Sequence, residues 1–332
     1  MRLPSSGSQK AIDWSLVIIV NFMWATQVPV IRLIGDRVGP VTVAFVPMIV
    51  STLIFLPLLW MENKRRNVSM YWKWKDIKYF IWPGLIGVFL MQYAYTLGST
   101  LTLAANAGII TLTIPVIVAI FASLLLKEKL NIVRIISFIL AIAGVLLTSL
   151  PDISGADFKQ GQYLKGNLIF LFACLCCGFY NTYCKMLVDK KFTELQILVY
   201  SSIIGSIASI PVLIWVEPFH YAAFIQSGKV ALWGMLELSI IVYGVSMLLF
   251  FYVLKRMDVT QAILGNYLLP FFIAILGILL LNEKITLLMF LGGIIIILST
   301  LMVTVYENKL LRFFSKPKSL VADETLASVN PK

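Results

Sequence analysis

Residues 107–129 read AGIITLTIPVIVAIFASLLLKEK, and residues 262–284 read AILGNYLLPFFIAILGILLLNEK. At an offset of 155 the two stretches agree at nine of 23 positions. Pro115 aligns with Pro270, Ala119 with Ala274, and Glu128-Lys129 with Glu283-Lys284. Leucine matches carry little weight in an apolar chain, but a proline and a glutamate 13 residues apart in both copies carry a good deal. Earlier in each copy, Trp24…Arg32 aligns with Cys177…Lys185 at an offset of 153, so each copy has a basic residue at the end of its first apolar run. The chain is read as two related halves.

The solvent of those halves follows from composition. Of 332 residues, 60% are apolar and 13% charged, and the mean hydropathy is +0.91. Soluble domains average about 45–50% apolar and about 25% charged, so a water-soluble fold is excluded. A helix crossing the hydrocarbon needs about 20 mostly apolar residues. Ten such runs occur: 14–33, 41–61, 77–97, 104–126, 133–150, 167–187, 195–216, 230–254, 260–281 and 285–306. Connectors as short as Asn282-Glu283-Lys284 make their flanking spans antiparallel. No small-residue cleavage motif precedes Trp14, so the first run is read as a retained span.

The net charge of +11 is explained by topology. Of 27 Lys and Arg residues, 21 fall in the N-tail, the C-tail and the loops that follow even-numbered spans. The positive-inside rule puts that side, with both termini, in the cytoplasm. The cluster Lys64-Arg65-Arg66 with Lys73, Lys75 and Lys78 is its strongest marker and reads as a topology anchor rather than a lipid site. The excess of positive charge therefore implies no nucleic-acid partner.

The expected fold is an all-α integral membrane protein of ten transmembrane helices, arranged as two inverted five-helix repeats. Its division is a cytoplasmic N-tail 1–13, a first repeat 14–150, a linker 151–166, a second repeat 167–306 and a cytoplasmic C-tail 307–332. An odd number of spans per repeat forces the second copy into the membrane upside down. Inverted repeats that rock around a midplane site are the architecture of many secondary transporters.

Several segments resemble the EamA family of the drug/metabolite transporter superfamily. They are Ile114-Pro115…Leu126-Lys127-Glu128-Lys129-Leu130, Leu269-Pro270…Leu281-Asn282-Glu283-Lys284-Ile285, Trp24…Arg32 and Phe251-Tyr252-Val253-Leu254-Lys255-Arg256. The resemblance runs over residues 14–306. The chain departs from the family's pattern in Ala25-Thr26 where Gly-Ser is common, Cys177 where a tryptophan is expected, and Ser299 where a glycine is usual. What the resemblance implies is a ten-helix secondary transporter, often an exporter in the plasma (inner) membrane, for small organic metabolites such as amino acids.

Polar side chains inside spans need a cavity or a partner helix, so each is a pathway candidate. Trp24, Gln27, Gln92, Tyr95, Asn106, Thr111, Asn181, Tyr243, Asn266 and Tyr267 come from corresponding spans of both halves. For each, the alternative is an interhelical hydrogen bond. Pro115 and Pro270 remove a backbone donor and are expected to free the carbonyls of Thr111 and Asn266, either as part of a substrate site or as a packing kink. Glu237, about 10 Å into the eighth span, is the candidate carrier of a coupling proton; the alternative is an interfacial glutamate paired with a base. Glu128 and Glu283 are read as holding tight turns, with a gating role as the other option. Arg32 and Lys185 either snorkel to headgroups or bind an anionic group at the cavity mouth.

Cys174, Cys177 and Cys184 share one helix face with Asn181, yet no His or carboxylate accompanies them, so they are read as small hydrophobes and not as a metal site. No cofactor is expected. No phosphate-binding loop of the G-x-x-x-x-G-K-[ST] kind is present, nor H-E-x-x-H or G-x-S-x-G. ATP-driven transport is thereby disfavoured; the alternatives to a secondary transporter are a channel-like or facilitative pore and, less favoured, an intramembrane enzyme.

Overall fold

A computed structural model describes residues 7–65, 74–126, 131–148, 161–190, 192–217, 226, 228–256 and 265–304. Glu128, Gln261, His220 and the C-tail 307–332 lie outside the described residues. Among the described residues ten helices follow one another: α1 (Gly7–Val38), α2 (Pro40–Arg65), α3 (Trp74–Trp82, Pro83–Leu90 and Met91–Leu101), α4 (Ala104–Thr111 and Ile114–Leu125), α5 (Ile132–Thr148), α6 (Gly161–Asp189), α7 (Glu194–Trp215), α8 (Gly228–Leu236, Glu237–Val245 and Ser246–Arg256), α9 (Gly265–Leu268 and Leu269–Leu281) and α10 (Leu287–Thr304). Seven are long and apolar enough to cross a bilayer, and three shorter apolar helices complete the ten. Two start six or seven residues before their apolar runs. α1 begins at Gly7, within the expected N-tail, and α6 at Gly161, within the expected linker.

The duplication is visible in the backbone. The central stretch of α3, Pro83–Leu90, is a π-helix, and so is the central stretch of α8, Glu237–Val245. Shifting 83–90 by the repeat offset of 155 gives 238–245, so the wide turns occupy equivalent places. π-turns within α-helices concentrate at functional sites.

Packing crosses between the halves. α1 lies against α8 and α9, and α6, its counterpart, lies against α3 and α4. α2 packs on α7, and α5 on α10. The last pair approaches closely at Gly144, where a Cβ would meet Ile296 Cγ1 at 2.5 Å and the Gly292 carbonyl at 2.9 Å. Ser299, where the family usually has glycine, donates its hydroxyl to the Ser137 carbonyl across the same contact (2.7 Å).

The prolines act differently from a simple kink. α4 is interrupted at Leu112 and Thr113, and Pro115 sits in the first turn of the helix that restarts at Ile114. A missing N–H costs nothing there, because the first helical N–H groups have no partner in any case. Pro270 holds the equivalent place at the start of Leu269–Leu281. The carbonyls near the break are taken up internally. Ile110 accepts from the Thr113 N–H (3.0 Å) and the Thr113 hydroxyl (2.8 Å). The Thr300 hydroxyl of α10 lies 2.8 Å from the Leu112 carbonyl and 2.8 Å from the Ile296 carbonyl of its own helix, so one proton is shared between them. The break is thus closed by protein groups at these two carbonyls.

Candidate functional site

Two apolar clusters meet in the middle of the bundle. One gathers α1, α4, α6, α9 and α10 around Ala107, Ile110, Phe170 and Ile273. The other gathers α1, α2 and α8 around Ile31, Val43 and Leu238. Trp24 and Tyr95 pack against both, so they stand at the junction. Trp24 lies edge-on to Phe250 with ring centres 4.9 Å apart, and Tyr95 lies against Phe170 at 4.6 Å.

At this junction three helices contribute a polar triad. Gln27 of α1 donates through Nε2 to the Tyr243 hydroxyl of α8 (3.1 Å). Gln92 of α3 donates to the same oxygen and to Thr96 Oγ1 (3.3 Å). Gln27 and Gln92 are buried, at 8% and 5% exposure. With both amides oriented as donors, the Tyr243 O–H has no acceptor among the described residues. Both halves contribute to the triad, and Tyr243 lies within the π-turn of α8.

The other candidates divide by what their polar atoms meet. Thr111 turns its hydroxyl back to the Gly108 carbonyl of its own helix (2.6 Å). Asn181 donates to Cys177 Sγ one turn earlier (3.6 Å), and Cys177 packs into the same cluster as Trp24 and Tyr95. Asn106 and Asn266 each hold a buried Oδ1 with no partner among the described residues. Buried acceptors are nearly always satisfied, so these two oxygens stand out in the bundle. Tyr267 lies on the tight turn that opens α9, with its side chain outside the described residues. Of the cysteine face, Cys174 is buried and points at the Ile110 carbonyl (3.9 Å), while Cys177 and Cys184 are half-buried.

Glu237 opens the π-turn of α8. Its Oε1 is bonded to the Thr26 hydroxyl of α1, and that hydroxyl also lies 2.7 Å from the Met23 carbonyl. A hydroxyl has one proton, so the geometry serves two states. An ionised Glu237 accepts from Thr26; a neutral Glu237 donates to Thr26, which then donates to Met23. Thr26 escaped the sequence reading because it appeared only as a departure from the Gly-Ser pattern. Its register, one residue before Gln27, was the available signal.

A second polar group ties the halves at one end of the bundle. Glu283, in the turn after α9, accepts the backbone N–H groups of Ala104 (2.8 Å) and Ala105 (3.1 Å) at the start of α4. Arg32 Nε lies 3.4 Å from the same carboxylate, with the two side chains 20% and 5% exposed. Glu283 therefore reaches across to another helix instead of closing its own turn, and Arg32 meets a carboxylate of the other repeat where snorkelling was the default expectation. Glu217 after α7 does the same for α2, accepting the N–H groups of Val41 (3.1 Å) and Thr42 (2.9 Å). Carboxylates at helix N-termini are favoured by the helix dipole and the free N–H groups. Lys185, the repeat counterpart of Arg32, is exposed.

The EamA-like transporter family model matches residues 14–150 and again 164–305. A WAT1-related, chloroplastic protein of Arabidopsis thaliana is 23% identical over 92% of this chain and 72% of its own length. An uncharacterized transporter of Archaeoglobus fulgidus is 24% identical, covering 89% of this chain and 98% of its own. A solved crystal structure superposes with a TM-score of 0.57 at 16% identity, covering 89% of this chain and 99% of that one, and shares the fold.

Proposed function

The chain belongs to the EamA-like transporter family and is a membrane transporter, not an enzyme; from that premise we propose that it exports a small organic metabolite, such as an amino acid, by alternating access between its two repeats. The observation that carries the reading is the Gln27–Tyr243–Gln92 centre at the junction of the clusters, flanked by Trp24 and Tyr95. Two amides, a phenol and two aromatic faces supply few, oriented polar groups on an apolar wall, as small-molecule sites do. Asn106 and Asn266, with their unpaired oxygens, extend the path toward α4 and α9. Glu237 carries the coupling proton, passing between its two bonded states with Thr26. Both termini face the cytoplasm, in the plasma membrane. In that orientation Arg32 and Glu283 form the outer latch, which must part when that end opens.

The test is solute counterflow in proteoliposomes, using hits from a thermal-shift screen of metabolites, since ligands that bind the folded state raise its stability. Tyr243→Phe removes the shared oxygen and leaves two buried amide donors without it, at about 1–3 kcal/mol each. Exchange is expected to fall at least about tenfold, the equivalent of about 1.4 kcal/mol. Unchanged exchange by a folded Tyr243→Phe protein would remove this centre from the pathway. Ion current without counterflow would make the protein a channel.

A further inference from the structure

The duplication measures, position by position, what each repeat lacks. The offset of 155 pairs Tyr95 with Phe250 and Gly98 with Val253. The offset of 153 pairs Cys177 with Trp24 and Phe170 with Val17. The folded contacts obey this pairing. Val17 and Val253 pack together where α1 meets α8. Phe170 lies on Gly98 where α6 meets α3, and a Cβ at Gly98 would fall 2.9 Å from that of Phe170. Contacts between α1 and α8 therefore have counterparts between α6 and α3.

One counterpart is incomplete. Trp24 lies edge-on to Phe250, with ring centres 4.9 Å apart. The equivalent pair is Cys177 and Tyr95, so a thiol stands where the duplication places an indole. Tyr95 and Cys177 pack against the same central cluster and lie within electrostatic reach of one another. The Tyr95 ring rests instead on Phe170, at 4.6 Å, and Phe170 is about two helical turns before Cys177.

The face around Cys177 is open where its counterpart is closed. Val28 and Ile31 of α1 are fully buried, at 0% exposure. The offset of 153 pairs them with Asn181 and Cys184, which are half-buried, as is Cys177. That exposure is not to lipid. Leu168 and Phe172, both exposed, mark the outward side of α6. At about 100° per residue, Cys177, Asn181 and Cys184 fall on the opposite side of the helix. They face an interior space that side chains fill in the other repeat. A space left by a missing side chain can take up a ring of matching size. A thiol behaves as a small hydrophobe, and the Tyr95 ring favours a second ring set edge-on or offset.

We propose that this face of α6 is the pocket for an aromatic ring of the transported solute. The ring lies between Cys177 and Tyr95, in the place that the first repeat fills with Trp24, and Cys177 sets its size limit. Assigning the ring to a transported solute rests on the transport reading; the pocket itself does not.

The experiment uses the full-length protein in nanodiscs. Indole is the probe, because it is the ring that Trp24 supplies in the other repeat. A charged thiol reagent that does not enter lipid, sulfonatoethyl methanethiosulfonate, is added, and modification of each cysteine is followed by mass spectrometry. Cys177 should react, whereas the buried Cys174 and Cys176 should not. With indole about ten times above its half-protecting concentration, reaction at Cys177 should slow about tenfold by mass action. 1-Hexanol, an apolar solute without a ring, should give no saturable protection. An unreactive Cys177, a rate that indole does not slow, or equal protection by 1-hexanol overturns the pocket. These outcomes need only the wild type, so a misfolded variant does not touch them. Cys177→Ala keeps the space and Cys177→Trp fills it. Indole should raise the unfolding temperature of the first and leave the second unmoved; equal shifts overturn the size limit. Counterflow without indole protection would overturn the pocket and spare the transport reading. Indole protection without counterflow would do the reverse.

Discussion

Replacing Glu283 with glutamine tests whether the two repeats are tied where the structure joins them. The carboxylate is 5% exposed and makes three contacts: the Ala104 and Ala105 N–H groups and Arg32. Glutamine keeps one oxygen, so one N–H bond survives and the other meets an NH₂ group. Loss of a charge-assisted hydrogen bond costs about 1.5–3 kcal/mol. Loss of the negative charge at the start of α4 costs about 0.3–1 kcal/mol more. The Arg32 side chain is 20% exposed, so its share is discounted for solvent to about 0.5–1 kcal/mol. The sum is on the order of 3 kcal/mol, or a fall in unfolding temperature of roughly 5–10 °C if the slope for large soluble domains applies. A thiol-reactive fluorophore reads this transition, because Cys174 and Cys176 are buried and label only as the bundle opens. The pair itself is read by a cycle with Arg32→Gln, whose coupling should exceed the 0.3–0.5 kcal/mol error of additivity. Glu283→Gln melting within about 1 °C of wild type, where roughly 5–10 °C is expected, would refute the cap. An additive cycle would refute the Arg32 contact while sparing the cap.

Gly144→Leu should destabilise the α5–α10 contact by at least about 1–3 kcal/mol, because even its Cβ lies against Ile296 and the Gly292 carbonyl; the same thermal assay would show an unshifted transition if the helices do not approach there. Asn282, at φ 54°, ends α9 in the left-handed region, so Asn282→Val should cost about 1–2 kcal/mol and Asn282→Gly close to nothing. Glu237→Gln removes the carboxylate bonded to the Thr26 hydroxyl. Uptake driven by an imposed pH gradient should vanish, while exchange without a gradient persists; gradient-driven uptake that survives the substitution would clear Glu237 of coupling.

The repeat was legible because it is written in residue types whose spacing survives divergence, namely a proline and a glutamate in each copy. The ten helices were legible because lipid demands about 20 apolar residues per crossing, a signal that needs no knowledge of neighbours. The site was legible only as a list. Gln27, Gln92 and Tyr243 looked no different from Thr111, whose hydroxyl is spent on its own helix. Three-dimensional packing decides that question, since a polar atom's partner is set by which helix faces it. The interruption of α4 was hidden for a related reason. Pro115 announces a break, but only the structure shows that the Thr300 hydroxyl of α10 reaches the Leu112 carbonyl beside it.

Sequence alone determined the solvent, the number of crossings and the duplication, because hydropathy and repeats are properties of the chain taken one residue at a time. Tertiary structure decided which half holds which. Arg32 meets Glu283, Thr26 meets Glu237, and Gln27 and Gln92 meet at Tyr243. Each of these pairs lies more than 150 positions apart along the chain except Gln27 and Gln92, and no local propensity encodes them. They exist because two related five-helix units interlock, so that Arg32, Thr26, Gln27 and Gln92 of one repeat meet Glu283, Glu237 and Tyr243 of the other.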